Sequence, residues 1–96
     1  MTWRLSRRAD ADIVGIYVEG ATVFGARQAE EYADGLFRTL DLLDANPRLA
    51  RERLEFTPAI RVHPYGSHLV IYLIDNSGVL VLRIVPGRSD WERLFV

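Results

Sequence analysis

Three β-prone runs in the second half of the chain constrain the fold more than any other sequence feature. They span residues 60–65, 67–74 and 79–86, and short segments rich in Gly, Ser, Asp and Asn separate them. This pattern favours an antiparallel meander. The second and third runs are apolar at odd and even positions alike, whereas a sheet with one face in water would alternate. We therefore expect helices to cover one face of the sheet and a further layer, such as a partner protein, to cover the other.

Two amphipathic helices are predicted before the meander. The first runs from Arg7 to about Ala21, with Ser6 as its N-cap and apolar residues at helical spacing. The second covers residues 26–45, and Asn46-Pro47 ends it because the residue before a proline avoids the α region. A turn of roughly three or four residues that includes Gly25 makes the two helices antiparallel.

Short segments complete the predicted fold. Trp3-Arg-Leu is a β-prone start, residues 48–59 have no clear period and are assigned to a loop, and Ser89 or Asp90 can cap a final helical turn. The prediction is an α+β fold in one domain over residues 1–96. In this fold, an N-terminal strand and an antiparallel two-helix hairpin precede a three-strand antiparallel meander, on which the hairpin packs, and a short C-terminal helical turn ends the chain.

Composition narrows the class of protein. A chain of 96 residues has room for one modest core, and its net charge of −1 argues against non-specific attraction to nucleic acid. It has no run near the roughly 20 apolar residues of a membrane span and no apolar stretch typical of a signal peptide, which favours the cytoplasm. With no Cys and two His, neither a disulfide framework nor a structural zinc site is expected. We predict no metal and no cofactor.

Candidate chemical groups lie on the predicted meander. They are Arg61, His63, His68, Tyr72, Arg83 and Arg88. Metal-independent RNA cleavage needs a base, a cation for the developing phosphorane charge and an acid, and such side chains can supply these roles. His68 begins the central strand, and a hydrogen bond to a cross-strand partner is the preferred interpretation of this residue over a catalytic role. Arg83, in an apolar strand, either pairs with a carboxylate such as Glu55 or Asp90 or emerges on the uncovered face.

An ordered set of short motifs runs along nearly the whole chain. The set comprises Ser6, Ala9-Asp-Ala-Asp-Ile13, Ala29, Leu36, Asn46-Pro47, Ile60-Arg61, Gly66-Ser-His68-Leu-Val-Ile-Tyr72 and Val81-Leu-Arg83-Ile-Val-Pro-Gly87-Arg88-Ser-Asp90. Together with the order of strand, helical hairpin, loop, meander and tail, it resembles the RelE/ParE superfamily of bacterial toxins, and more closely its ParE branch.

The resemblance implies the toxin of a type II toxin–antitoxin module. Such a toxin is held inactive in a hetero-oligomer by a cognate ParD-like antitoxin, and ParE-like members act on DNA gyrase and block replication. No membrane and no sequence-specific nucleic acid are expected as partners. The residues predicted to bind the antitoxin are Val14, Tyr17, Val18 and Phe37. Those predicted to bind the target are Arg83, Arg88, Trp91 and Arg93, since Arg and Trp dominate interface energetics.

The resemblance also leaves an enzyme open. RelE-like members cleave messenger RNA at the ribosome, and in that case Arg61, His68, Tyr72 and Arg83 are the catalytic candidates. Family members often carry a His at the position of Pro86. Because proline cannot transfer a proton, this departure favours a non-enzymatic gyrase inhibitor over a ribosome-dependent endoribonuclease.

Overall fold

The computed structural model describes residues 3–95 and confirms the predicted α+β fold. In chain order the elements are β1 (Arg4–Leu5), α1 (Arg7–Phe24), α2 (Ala26–Ala45), β2 (Arg61–Tyr65), β3 (His68–Asp75), β4 (Gly78–Pro86) and a 3-10 helix (Trp91–Phe95). The strands form one sheet in the order β1-β4-β3-β2. β1 is parallel to β4, and the meander of β2, β3 and β4 is antiparallel.

Ser6 starts α1 as predicted and also ties it to the sheet. Its hydroxyl oxygen accepts a hydrogen bond from the Ala9 N–H at 3.0 Å, which satisfies one of the free donors in the first turn. The same hydroxyl donates to the Leu82 carbonyl at 2.6 Å, and the Ser6 N–H donates to the Val81 carbonyl at 2.9 Å. The N-terminus of α1 is therefore fixed against β4.

The connection between the helices is shorter than predicted. α1 continues beyond Ala21 to Phe24, and Gly25 alone separates it from α2, so the prediction of a turn of three or four residues is wrong. Gly25 has φ 93°, a conformation that glycine adopts without steric cost, and its N–H donates to the Ala21 carbonyl at 3.0 Å. One residue can therefore reverse the chain, and the last turn of α1 stays helical.

The main core lies between the helices and one face of the sheet. It contains Ala9, Leu36, Leu40, Leu43, Val70, Tyr72, Val79, Val81 and Ile84. A β-bulge leaves Leu82 without a partner on β3, because Val81 pairs with Tyr72 and Arg83 pairs with Ile71. The extra residue resets the alternation of β4. Val81 before the bulge and Ile84 after it therefore reach the same core.

The chain itself covers the other face of the sheet, and the expectation that a partner would cover it is wrong. Ile60, Ile71, Val85 and Trp91 form a second buried cluster. Phe56 from the loop over residues 48–59 and Phe95 from the 3-10 helix pack against it. Aromatic residues in two segments without helical or strand periodicity form this layer, and periodicity gave no sign that they would fold back.

Candidate functional site

An apolar groove of about 790 Å³ opens at the end of the molecule where the tip of the helical hairpin meets the β2–β3 turn. Its apolar lining comprises Ile16, Val23, Phe24, Ala29, Pro64, Leu69 and Pro86. Glu19, His68 and Arg88 contribute polar or charged groups to the same walls. Grooves of this size, with a mostly apolar lining and a few polar groups, are typical binding sites.

The groove exists because the apolar stripe of α1 extends past the main core. Ile16, Gly20 and Val23 follow one another at helical spacing and all line the groove. Val23 is 63% exposed and the adjacent Phe24 is 65% exposed. Side chains of this kind are costly to leave in water, so the end of α1 offers apolar surface that a partner can cover.

Two tyrosines join α2 to the β2–β3 turn at the floor of the groove. The Tyr65 hydroxyl donates to the Tyr32 carbonyl at 2.8 Å, and the Tyr32 hydroxyl lies 3.2 Å from the Tyr65 carbonyl oxygen. The Tyr32 hydroxyl also accepts the Ser67 N–H at 3.2 Å and lies 2.7 Å from His68 Nδ1. These contacts hold the Nδ1 edge of the His68 ring against Tyr32 of α2.

The surroundings of His68 favour its neutral form. Burial lowers the pKa of its imidazole from the ordinary value of 6.5, and the charges of Glu19 and Asp12 oppose that shift only in part. The prediction of a cross-strand hydrogen bond is not met, because the partner of Nδ1 is Tyr32 on a helix, at 2.7 Å. His68 is the one proposed catalytic residue that lines the groove.

The other nuclease candidates have structural partners. Tyr72 is fully buried, its hydroxyl donates to the Pro47 carbonyl at 2.7 Å, and burial raises its pKa. Arg61 donates to the Ala50 carbonyl at 2.7 Å. Arg61 lies opposite Tyr72 in the sheet, and Tyr72 is four residues, or roughly 13 Å, along β3 from His68. The structure therefore does not bring Arg61, Tyr72 and His68 to one centre.

Arg83 has a carboxylate partner that the sequence analysis did not name. Its guanidinium donates to both carboxylate oxygens of Asp12 in α1, at 2.8 and 3.1 Å. The Ile84 N–H donates to the same carboxylate at 2.9 Å. Neither predicted partner, Glu55 or Asp90, makes this pair. The hydrogen bond to Asp12 raises the pKa of Arg83, a guanidinium that is charged in any case, and the ion pair holds α1 on β4.

The predicted target-binding residues fall into two environments. Arg88 is exposed and lines the groove, and Arg93 is exposed beside Asp90 at 3.3 Å. Trp91 is only 6% exposed and packs in the second core. Arg83 is paired as described above. Arg88 and Arg93 are thus the members of this set whose cations can reach another macromolecule directly.

The predicted antitoxin-binding residues are exposed to different degrees. Val14 and Val18 lie on the outer face of α1, and each is more than half exposed. Phe37 is partly exposed and stacks on Trp3, with 5.9 Å between ring centroids, and Tyr17 is half-buried.

Sequence reasoning missed Val23, Phe24, Tyr32 and Leu69 as residues of the groove. The available signal was the helical spacing from Ile16 to Val23, but the helix was predicted to end near Ala21, which placed Val23 and Phe24 in the turn. The relation of Tyr32 and Leu69 to the groove depends on packing between α2 and β3, which local sequence does not encode.

The described part of the chain contains neither a metal-binding cluster nor a membrane-spanning helix. Residues 3–95 contain no group of three or more His, Asp or Glu side chains placed to hold a metal ion. Neither of the two long helices within that range is apolar enough over its length to cross a membrane.

Comparisons with known proteins identify the family. The family model for the ParE toxin of the type II toxin–antitoxin system parDE matches residues 3–91. Toxin ParE1 of Mycobacterium tuberculosis is 33% identical over 90 residues, covering 93% of this chain and 92% of that protein. Toxin ParE1 of Caulobacter vibrioides is 32% identical over 83 residues, covering 86% and 85%.

A solved structure supports the same fold. The chromosomal ParDE system from P. aeruginosa contains a chain that superposes with a TM-score of 0.74 at 20% identity, covering 90% of this chain and 95% of that one. The predicted ParE-like branch is thus confirmed by a family match over most of the chain and by relatives above 30% identity. This chain belongs to the ParE toxin family of type II toxin–antitoxin systems.

Proposed function

We propose that a ParD-like antitoxin holds this toxin inactive in a hetero-oligomer, and that the free toxin inhibits DNA gyrase without catalysing a reaction. The observation that carries the proposal is the open apolar groove with the exposed Val23 and Phe24 at its edge. A type II toxin is paired with an antitoxin, and an amphipathic segment laid in a groove is a common mode of recognition.

The apolar surface on α1 supports an antitoxin that wraps the helix. Val23 and Phe24 line the groove, while Val14 and Val18 are exposed on the outer face of the same helix. One extended or helical segment that crosses α1 can cover both surfaces and remove these side chains from water. Such a segment needs apolar anchors spaced to meet them.

Arg88 supports a simple mechanism of neutralisation. This exposed cation lies on the wall of the groove, so an antitoxin segment bound there covers it. If Arg88 and Arg93 contact gyrase, antitoxin binding and target binding compete for the same cation. Trp91 then contributes indirectly, because its buried indole supports the 3-10 helix on which Arg93 lies.

The arrangement of the nuclease candidates favours inhibition over catalysis. His68 lies in the groove, whereas Tyr72 is buried and Arg61 is bound to a loop carbonyl. General acid–base catalysis requires groups within hydrogen-bonding reach of one substrate. A ribosome-dependent endoribonuclease would have to recruit other residues of this chain to the groove.

The experiment separates antitoxin recognition from target recognition. The toxin is co-expressed with the protein encoded beside its gene, the complex is purified, and the released toxin is added to a gyrase supercoiling assay. Phe24→Asp is expected to weaken the complex at least tenfold, whereas Leu54→Asp, an exposed substitution in the loop, leaves it unchanged. Arg88→Ala is expected to reduce gyrase inhibition, and Arg51→Ala, another exposed arginine, serves as its control.

Two results would overturn the proposal. Cleaved messenger RNA soon after induction, with normal supercoiling activity of gyrase in the presence of toxin, would establish the endoribonuclease instead. Equal loss of antitoxin binding in the Phe24→Asp and Leu54→Asp variants would show that the groove is not the binding site.

A further inference from the structure

The Tyr32 hydroxyl has one hydrogen and two acceptors within reach. His68 Nδ1 is 2.7 Å away and the Tyr65 carbonyl oxygen is 3.2 Å away. The Ser67 N–H donates to the same hydroxyl oxygen at 3.2 Å. The direction of the Tyr32 hydrogen therefore depends on whether His68 Nδ1 carries a proton.

Both protonation states of His68 fit the same positions of the heavy atoms. With Nδ1 unprotonated, Tyr32 donates to His68 over the shorter distance. When the imidazole gains a proton, both ring nitrogens become donors. Nδ1–H then donates to the Tyr32 oxygen, and the Tyr32 hydrogen turns to the Tyr65 carbonyl. A proton can be added without breaking the contact between α2 and the β2–β3 turn.

The groups around His68 come from every element that packs on it. α1 contributes Glu19 and Asp12, of which Asp12 is already bound to Arg83. The remaining neighbours are Tyr32 of α2, Tyr65 of β2 and, on the wall of the groove after β4, Arg88. Burial among the apolar walls disfavours a charged imidazole, and the carboxylates of Glu19 and Asp12 favour it.

We propose that His68 and Tyr32 form a proton-operated switch in the wall of the groove. In the neutral state the groove accepts an apolar partner segment. In the protonated state Tyr32 turns its hydroxyl to Tyr65, His68 becomes a cation in the groove, and the partner is bound less tightly. The second half of this inference rests on the proposed function, because it takes the antitoxin segment as the occupant of the groove.

The sign of the pH dependence follows from burial. An apolar segment over the groove removes more water from His68 and lowers its pKa further in the complex than in the free toxin. Affinity is then constant above pH 6.5, the ordinary value for histidine. Below the pKa of His68 in the free toxin, affinity falls by up to about tenfold for each pH unit. The fall ends at the pKa that His68 has in the complex.

The switch is tested first on the free toxin by NMR. The chemical shifts of the His68 ring nitrogens report its protonation as pH is varied. We expect the chemical shifts of the Tyr65 carbonyl carbon and the Ser67 amide to change with the same midpoint pH. In Tyr32→Phe the Tyr65 shift should disappear while His68 still titrates. A Tyr65 carbonyl that does not respond to His68 in the wild-type protein overturns the switch, whatever the partner is.

The effect on binding is tested with the antitoxin captured by co-expression. Its affinity is measured between pH 7.5 and pH 5.5 for wild type, His68→Gln and His63→Gln. We expect affinity to fall in wild type and in His63→Gln, by less than about tenfold because the pKa of His68 in the free toxin is lowered below 6.5. Affinity should stay constant in His68→Gln, and His63→Gln is the control since His63 is absent from the groove lining. The same fall in His68→Gln rejects the role in binding. Absence of a complex at every pH rejects the proposed function, and the NMR result then still decides the switch.

Discussion

Replacing Trp91 with alanine tests the finding that the chain closes the second face of its own sheet. The indole is 6% exposed and packs with Ile60, Ile71 and Val85. Its ring lies 5.8 Å from that of Phe56, and the Arg53 guanidinium lies 5.7 Å from its centre. Removing the indole leaves a cavity against the sheet and takes away the main anchor of the 3-10 helix.

The expected loss is large for a chain of this size. A buried aromatic side chain removes about 200 Å² from water, which at about 25 cal/mol per Å² is about 5 kcal/mol before relaxation. Measured Trp→Ala losses, which include relaxation around the cavity, are about 3–5 kcal/mol, so this value is the upper limit of that range. Contact with Arg53 adds about 0.5 kcal/mol. We therefore expect the free energy of unfolding to fall by about 4 kcal/mol, out of a total of about 5–15 kcal/mol for such a domain.

Urea denaturation followed by circular dichroism measures this loss. Leu94→Ala in the same 3-10 helix is the matched control, because Leu94 is 49% exposed and should cost under about 1 kcal/mol. Trp91→Phe keeps an aromatic ring in the cluster and provides a folded variant if Trp91→Ala is too unstable to measure. If Trp91→Ala lowers the free energy of unfolding no more than Leu94→Ala does, the reasoning is refuted, because the Trp91 side chain would then not be buried.

Three further substitutions test individual contacts. Asp12→Asn weakens the pair with Arg83, and we expect the free energy of unfolding, measured by urea denaturation, to fall by about 2 kcal/mol. The control Asp34→Asn changes an exposed carboxylate and should cost under about 0.5 kcal/mol. Equal losses in the two variants would contradict the importance of the pair. Gly66→Ala should lower the melting temperature, because φ is 55° and the added Cβ would lie 2.5 Å from a tyrosine hydroxyl oxygen. Gly15→Ala should instead add up to about 1 kcal/mol, because an added Cβ would meet no atom within 4 Å apart from its chain neighbours and the backbone of its own helix. A shift of the same sign in both glycine variants would be inconsistent with the structure.

Local signals were sufficient for the elements of the fold. The β-rich runs matched β2, β3 and β4 to within about a residue, as is usual for strongly patterned segments. Ser6 was predicted as an N-cap from its position before an amphipathic pattern, and its hydroxyl makes that bond. Asn46-Pro47 was predicted to end the second helix, and α2 ends at Ala45.

Contacts between distant segments were beyond the reach of these signals. Asp12 and Arg83 are 71 positions apart, and no periodicity relates a helix residue to its partner across a β-bulge. Phe56 and Trp91 belong to segments without a regular hydrophobic pattern. Their packing on the sheet depends on where the whole meander lies, so it could not be predicted from the residues next to them. The groove was missed for a similar reason, because it is formed where α1, α2 and three strands end together.

The pairing of β1 with β4 has a consequence for the time at which a newly made toxin becomes competent. Arg4 lies opposite Leu80, and Leu5 lies opposite Val81. The first strand therefore cannot join the sheet until nearly the whole polypeptide has left the ribosome. Arg88 follows later still. The groove, which β4 helps to line, is therefore complete only at the end of translation, and a prematurely terminated product that lacks β4 would leave β1 without its partner strand.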